Sequence, residues 1–547
     1  MNQKELLEKG YFPKELPPPF QTMQFADNLE KINNDWAEII KAINKLSKPN
    51  REPFKERFWE SKWVIHSIPK VGFSRRLLGI PNPYHQSLLA LSISNKWNEI
   101  EKIFLQSSMS NSRPIKDGNK RALKSVHTFG EFRKECLIHS YDKIFEVRTD
   151  VSRYYGTIYT HIIPWIIHTK AHAKLNRKDT SLLGNLLDKN LRESNSGQTL
   201  GIPIGPDTSL VIAEIIGCTL DNMIQKKFNT SAIRGFRYID DYYIYCENQA
   251  DAEKVFKYVQ SIFTEFQLEI NEEKTKISKS PFPFEADWAI ELGSFTFRKN
   301  PRSQQTDIER FVSIAFKHAQ NYPKESVLNF AIVVLKGVPL FDENWTLFQS
   351  LVLKIAITEP VTLPIVAEIL VSYRSKVDRL KVKSTVENII REQISKGHHF
   401  EVSWSLWFCV EFEIKLPNSI AELIFNSSDV ISIMIALDLK KQGLINSKVS
   451  TDYIRNELSV ESLMSEQWLL TYEALVQDWI ESPENNPIDQ NEYFDLLRKY
   501  KVRFYDSKRR ISPFKIVSPT GKNNPSVETS YDKAVRFSGG GGGSDAY

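Results

Sequence analysis

Residues 236–245 read Phe-Arg-Tyr-Ile-Asp-Asp-Tyr-Tyr-Ile-Tyr, two adjacent acids set inside an aromatic and β-branched run. The flanks favour two strands, with Asp240-Asp241 at the tight connection between them. An ordinary hairpin turn is the bland alternative. Such turns prefer Asn-Gly or Asp-Gly, and two neighbouring carboxylates repel one another. The pair becomes tolerable where a divalent cation sits against it.

A second acidic strand narrows the reading. Residues 144–155 (Ile-Phe-Glu-Val-Arg-Thr-Asp-Val-Ser-Arg-Tyr-Tyr) form an apolar run that ends on Asp150 and then enters a helix. Two-metal phosphoryl transfer needs carboxylates from different strands, converging on ions roughly 3.5–4 Å apart. One ion lowers the pKa of an attacking 3′-hydroxyl and the other holds the triphosphate. Hard oxygen ligands favour Mg²⁺ over Zn²⁺. Between the acids lies Leu200-Gly-Ile-Pro-Ile-Gly-Pro-Asp-Thr-Ser209. Its two glycines and two prolines predict a fixed loop before a helix, with backbone able to approach a flat base pair.

At 547 residues the chain is expected to hold two or three domains. It is 41% hydrophobic and 25% charged, the balance of a soluble globular protein. No run approaches the roughly 20 apolar residues of a membrane span. The polar N-terminus does not read as a signal peptide, so a cytoplasmic location is expected. Cys136, Cys218, Cys246 and Cys409 form no CxxC pair, which excludes a zinc ribbon and offers no disulfide framework. A net charge of +5 leaves nucleic acid to be held by local patches. Two stretches qualify: Arg75, Arg76, Arg113, Lys116, Lys120, Arg121 and Lys124, and then Lys508-Arg509-Arg510. A basic run of this kind is more often solvated surface than a binding site.

Four regions are expected. Residues 1–60 form an N-terminal extension, with the proline-rich turn Leu16 to Phe20 and a helical stretch over Asn28 to Leu46. Residues 61–300 mix short strands with helices. Residues 301–537 carry apolar residues at helical spacing: Val327, Phe330, Val334 and Leu335; Leu347, Leu351 and Ile355; Ile365, Ile369 and Leu370. These predict packed helix pairs in the manner of an α-solenoid, without a clean period. Residues 538–547 read as a linker with a tag remnant.

In their order, these segments resemble the palm of reverse transcriptases. Asp150 matches the first catalytic acid, Gly201-x-Pro203-x-Gly205 the substrate-facing loop, and Tyr238-Ile-Asp-Asp241 the YxDD box. Asn271 to Lys276 matches the lysine element, and Leu292-Gly293 a primer-gripping hairpin. Arg75 to Pro81 and Arg113 to Arg121 sit where the fingers motifs belong. The likeness covers roughly residues 60–300. Tyr11 to Phe20, the Gly201 to Ser209 loop with Glu214, Trp404-Ser-Leu-Trp407 and Trp468 to Glu473 are similar to features of abortive-infection and other defence-associated bacterial reverse transcriptases.

The resemblance implies an α+β fold: a right-hand palm and fingers followed by an all-α, HEAT-like helical domain in place of the usual thumb. It implies a DNA polymerase that adds dNTPs with two Mg²⁺ ions, or Mn²⁺ in their place. Asp150, Asp240 and Asp241, with Val151, are the implied metal ligands, and Lys274 joins the acids as a catalytic residue. Lys274 either protonates the leaving pyrophosphate or solvates a turn. Tyr155, Arg121, Lys120, Gly201, Pro203, Gly205 and Tyr238 are the implied substrate contacts. Tyr155, five residues after the first acid, falls at the sugar gate that rejects a 2′-hydroxyl, with Tyr154 as the competing candidate. Lys120 and Arg121 either clamp the triphosphate or serve the surface.

Implied partners are a single-stranded DNA product, a template or noncoding RNA, and further copies of the chain in a homo-oligomer, with no membrane. Many reverse transcriptases carry glutamine where this chain has Leu200, so one polar contact near the substrate is missing or supplied elsewhere. No zinc-binding maturase segment, RNase H acid set or integrase domain is recognisable, which argues against a self-inserting retroelement.

Templated copying and extension without a template both fit, and twenty tyrosines leave any protein primer unidentified. A non-enzymatic scaffold with a retired palm is disfavoured by the presence of all three acids. A two-metal nuclease is disfavoured by the YxDD box and the substrate loop. His168 and His172, spaced for one helix face, and His398-His399 lack an evident third ligand and read as packing or solvated histidines. Trp404 and Trp407 read as helix core.

Overall fold

The computed structural model describes residues 1–519 except 71, 73, 229–231 and 284. The expected linker at 538–547 lies outside the described residues. The strands are β1 (Val64–Pro69), β2 (Arg75–Ile80), β3 (Pro114–Lys116), β4 (Leu123–Ser125), β5 (Phe145–Asp150), β6 (Ile233–Tyr238), β7 (Asp241–Cys246) and β8 (Lys276–Lys279). β5 to β8 form one antiparallel sheet in the order β6-β7-β5-β8, while β1–β2 and β3–β4 are separate antiparallel hairpins.

Alternation along β7 explains why this aromatic run is a strand. Tyr242 meets Phe263 of the helix Gln249–Glu265 on one face. Tyr243 turns to the other face, against Phe132 of the helix Phe129–His139 and under the Arg148 guanidinium. Gln249–Glu265 covers β5 and β7, and it packs on the helix Asp207–Lys227, most of whose length is buried.

The hairpin differs from expectation in one detail. Its two-residue turn is Ile239-Asp240, and Asp241 already pairs with Tyr238 as the first residue of β7. Ile239 has φ 56°, an uncommon conformation for a β-branched residue. The turn is held from outside: Ile239 N–H donates to Ser112 Oγ at 2.7 Å, and its carbonyl accepts from Arg237 at 2.8 Å.

The stretch expected to be helical near the N-terminus is the helix Leu29–Asn44. From Pro301 onward, the regular elements among the described residues are all helical. Val327–Lys336, Trp345–Thr358 and Leu363–Ser372 fall on the three apolar stripes. In the second, Phe348, Val352 and Ile355 form the buried face, while Leu347 and Leu351 lie at its edge.

Two local expectations fail. Leu292-Gly293 lies inside the helix Asp287–Ser294, so it forms no primer-gripping hairpin. His168 and His172 do not share a helix, because Thr169 (φ 69°) ends one and caps the next.

The helical region is sewn to the rest of the chain. The helix His399–Phe412 packs on β1. Trp468 donates to the Ile80 carbonyl at 3.2 Å, and Trp404 to that of Glu15 at 2.9 Å. Trp404 and Trp407 are both buried. Near the end of the described chain, Phe504 accepts from Gln21 N–H at 2.9 Å and packs on Tyr11, Phe25 and Trp468.

Candidate active site

Pairing register brings the acids together. Asp150 ends β5 directly opposite Asp241 at the start of β7, and Asp240 occupies the adjoining turn. All three are buried, at 3%, 8% and 3% exposure for Asp150, Asp240 and Asp241. Lys274 ion-pairs with Asp150 and lies 3.7 Å from Asp241 Oδ1. Asn271, at the head of the lysine element, fixes the other side of Asp150. Its backbone N–H donates to the Asp150 carbonyl at 2.9 Å, and its side-chain amide to Oδ2 at 3.3 Å. Val151 is buried beside Asp150 and bridges to Ile270.

The electrostatics show a deficit of positive charge. Burial, then the neighbouring Asp240, pushes Asp241 up to about 6. Burial, then Asp241, also raises Asp150, against the opposing pull of Lys274. Burial works against the Lys274 ammonium, but Asp241 and Asp150 hold its pKa above the usual value. Lys274, with Arg148 acting on Asp241, offsets only part of the repulsion among three buried carboxylates, and added cations relieve the rest. The all-oxygen donor set fits Mg²⁺ or Mn²⁺.

The loop expected to face substrate is tied on three sides. Gly201 N–H donates to the Ile158 carbonyl, and Ile202 N–H to that of Tyr155, both at 2.8 Å. Gly79 N–H of β2 donates to the Ile204 carbonyl at 3.0 Å, and Pro203 packs against Gly79. Gly205 (φ 124°) abuts Pro13, so its missing Cβ makes room for the N-terminal segment rather than for a base pair. Leu200 is 60% exposed.

Both tyrosines are buried in the core, and the Tyr154 hydroxyl donates to the Ala213 carbonyl at 2.9 Å. Tyr155 lies beside Tyr154, 5% exposed. Tyr238 packs edge-on to Phe129 and against Phe132.

The fingers cations are placed differently from expectation. Arg121 is committed to the Asp207 carboxylate and to the carbonyls of Phe12 and Gly205, so it braces the loop instead of facing the three acids. Arg75 pairs with Glu401, Lys116 with Glu5, and Lys124 lies 3.9 Å from Asp117. Lys120 is exposed. In the second basic stretch, Arg510 lies over the Trp407 ring.

Two features escaped the sequence reading. Lys70, at the end of β1, has its pKa lowered by burial of its head group and by Arg76 and Lys274, while Asp150 and Asp240 pull the other way. It therefore belongs to the field of the acidic site. The second is a fully buried ion network behind the turn. Arg237 pairs with Glu214 at 3.0 Å and Asp221 at 2.9 Å, and all three side chains have 0% exposure. Glu214 and Asp221 sit seven apart on the helix Asp207–Lys227, with Gly217 between them. Acids at i and i+7 in an otherwise apolar helix were the available signal.

Residues 121–287 match the family model described as reverse transcriptase (RNA-dependent DNA polymerase). None of the curated proteins matches the chain. Two solved structures of telomerase from Candida tropicalis are similar at 14% identity. The apo form, truncated from its C-terminal domain, gives a TM-score of 0.29 over 41% of this chain and 51% of that one. The complex with a TWJ fragment of telomeric RNA gives 0.28 over 71% and 64%. The chain thus spans less than two-thirds of either telomerase chain. With Asp150, Asp240, Asp241 and Lys274 all inside the matched segment, this chain contains a reverse transcriptase domain.

Proposed function

We propose that the protein is a DNA polymerase that extends a 3′-hydroxyl with dNTPs at Asp150, Asp240 and Asp241. The observation that carries this reading is the cross-strand pairing of Asp150 with Asp241, with Asp240 in the adjoining turn. Those three carboxylates would hold two Mg²⁺ ions, which when bound acidify the attacking hydroxyl and stabilise the departing pyrophosphate. Asn271 keeps Asp150 oriented toward its neighbours. Lys274, protonated beside Asp150, is a proton donor for the leaving group. Lys70, following β1, presents positive charge toward Asp150 and Asp240, where a triphosphate would lie. Tyr155, beneath the loop at Gly201, takes the sugar-gate role.

The defence-associated resemblance of the N-terminal segment and substrate loop supports a role against phage. The exposed Leu200 side chain offers an incoming base no hydrogen bond, which is consistent with extension with little or no template as well as with copying. Homo-oligomerisation and an associated RNA belong to the same reading.

The test incubates purified protein with Mg²⁺ and each labelled dNTP, without template or primer, beside an Asp240→Asn/Asp241→Asn double variant. Long DNA from the wild type alone supports self-sufficient synthesis, and a mobility shift on protease treatment indicates a protein primer. Activity that appears only on a primed RNA template assigns conventional reverse transcription. No incorporation under either condition overturns the polymerase reading in favour of a binding scaffold.

A further inference from the structure

A buried histidine without a partner lies far from the palm chemistry in sequence. His66 occupies a core-facing position of β1, between Val64 and Ile68, where alternation calls for an apolar side chain. It is 0% exposed, and neither ring nitrogen has a hydrogen-bond partner. An imidazole in that state loses its hydration with nothing in return.

Two further ligand-type side chains face it. His399 begins the helix that packs on β1, its ring centroid 6.0 Å from that of His66. Asp429 is 2% exposed at the start of the helix Val430–Lys441. One donor atom from each of the three lies within 4.8 Å of the others, and His399 Nδ1 is 3.8 Å from Asp429 Oδ1. Tetrahedral zinc with bonds of about 2.0–2.1 Å spaces its donors roughly 3.4 Å apart. Modest inward rotamer adjustments would therefore close the shell.

The surroundings suit a metal. His399 Nδ1 lies 3.2 Å from the Ile65 carbonyl and 3.3 Å from Ser67 N–H. Both contacts are to the nitrogen that faces Asp429, so a metal bond at Nδ1 would replace them. Asp429 accepts from the Ser432 hydroxyl and, at 3.4 Å, from Ser432 N–H. The nearby Arg75 guanidinium is neutralised by Glu401, so it does not oppose a dication with a bare charge.

From this juxtaposition we propose that His66, His399 and Asp429 form a site for one Zn²⁺ ion, with water as the fourth ligand. Two imidazoles and one carboxylate favour a borderline transition metal over Mg²⁺. The ion would staple the β1–β2 hairpin to two helices more than 300 residues away in the chain.

The test uses the full-length protein, stripped with chelator and dialysed against Zn²⁺ in excess Mg²⁺. Metal content, the visible spectrum after Co²⁺ substitution, and melting with and without Zn²⁺ are the readouts. Roughly one zinc per chain, a tetrahedral Co²⁺ spectrum and a Zn²⁺-dependent rise in melting temperature are expected. Asp429→Asn keeps the helix cap, because Asn caps as well as Asp, and should lose most of the bound zinc. His66→Phe should lose the metal and its melting response. Wild-type protein without stoichiometric zinc or Co²⁺ absorption would overturn the proposal. So would zinc retained undiminished by both variants. A His66→Phe protein more stable than zinc-treated wild type would identify His66 as an unfavourable core residue and no ligand.

Discussion

Arg237 is where folding energy and the acidic site are most tightly joined, and Arg237→Met tests that coupling. The substitution would leave Glu214 and Asp221 buried at 0% exposure without their shared cation. Removing one partner of a buried ion pair costs about 3–5 kcal/mol, and two stranded carboxylates place this case toward the upper end. At about 2–4 °C per kcal/mol for a unit of this size, melting should fall by about 6–20 °C. The loss should depend on pH. In the wild type, Arg237 lowers the Glu214 pKa against the effect of burial. Without Arg237, burial raises that carboxyl above its unfolded value, so the folded variant binds more protons than the unfolded chain. Stability then falls as pH rises through the raised pKa, and the deficit should be larger at pH 8 than at pH 5.5. Arg237 also donates to the Ile239 carbonyl in the turn that carries Asp240. Replacing all three charges, Arg237→Met with Glu214→Leu and Asp221→Leu, should therefore restore much of the stability while dNTP incorporation stays depressed. Scanning calorimetry across pH, paired with incorporation rates, measures both effects. A single variant that melts within 2 °C of wild type with unchanged incorporation would refute the coupling.

A Cβ at Gly217 would lie 2.5 Å from the guanidinium carbon of Arg237, which two carboxylates hold in place. Gly217→Ala should thus destabilise by about 1–3 kcal/mol despite its better helix propensity, read as a lower melting temperature. Because Asp241 titrates near 6, its ionised form costs stability in the metal-free protein as pH rises from about 4 to above 6. Mg²⁺ should therefore raise melting more at pH 7.5 than at pH 5, and Asp241→Asn should shrink the difference, leaving what Asp150 contributes. Tyr155→Ala should narrow the preference for dATP over ATP by on the order of tenfold or more, measured by single-nucleotide incorporation. Unchanged discrimination would remove Tyr155 from the gate.

The palm was readable because its signals are local. A period of two in the aromatic run sets β7, and the acids fall where that pattern meets a turn. Even there, the strained Ile239 moved the turn back by one residue, and nothing in its own side chain announces this. Its support comes from Ser112 and Arg237, and Ser112 is remote in sequence. Cations were harder to place, since an arginine is equally plausible at a phosphate or in a buried pair. Arg121 went to Asp207 and Arg75 to Glu401, partners 86 and 326 residues away. Lys70 stood outside every motif and reached the acidic site only because β1 ends there.

Several long-range pairs that spacing could not show lie where the β1–β2 hairpin meets the helical region. Arg75–Glu401, Trp468 with the Ile80 carbonyl, and His66 with His399 all tie that hairpin to residues beyond 398. The same hairpin carries Lys70 and packs Gly79 on Pro203 of the Gly201–Gly205 loop. The helical face therefore connects to that loop and to Lys70 through one antiparallel ladder, six residues long on each strand. The helices that hold this ladder brace the hairpin that carries Lys70 and packs on Pro203, although none of them supplies one of the three acids.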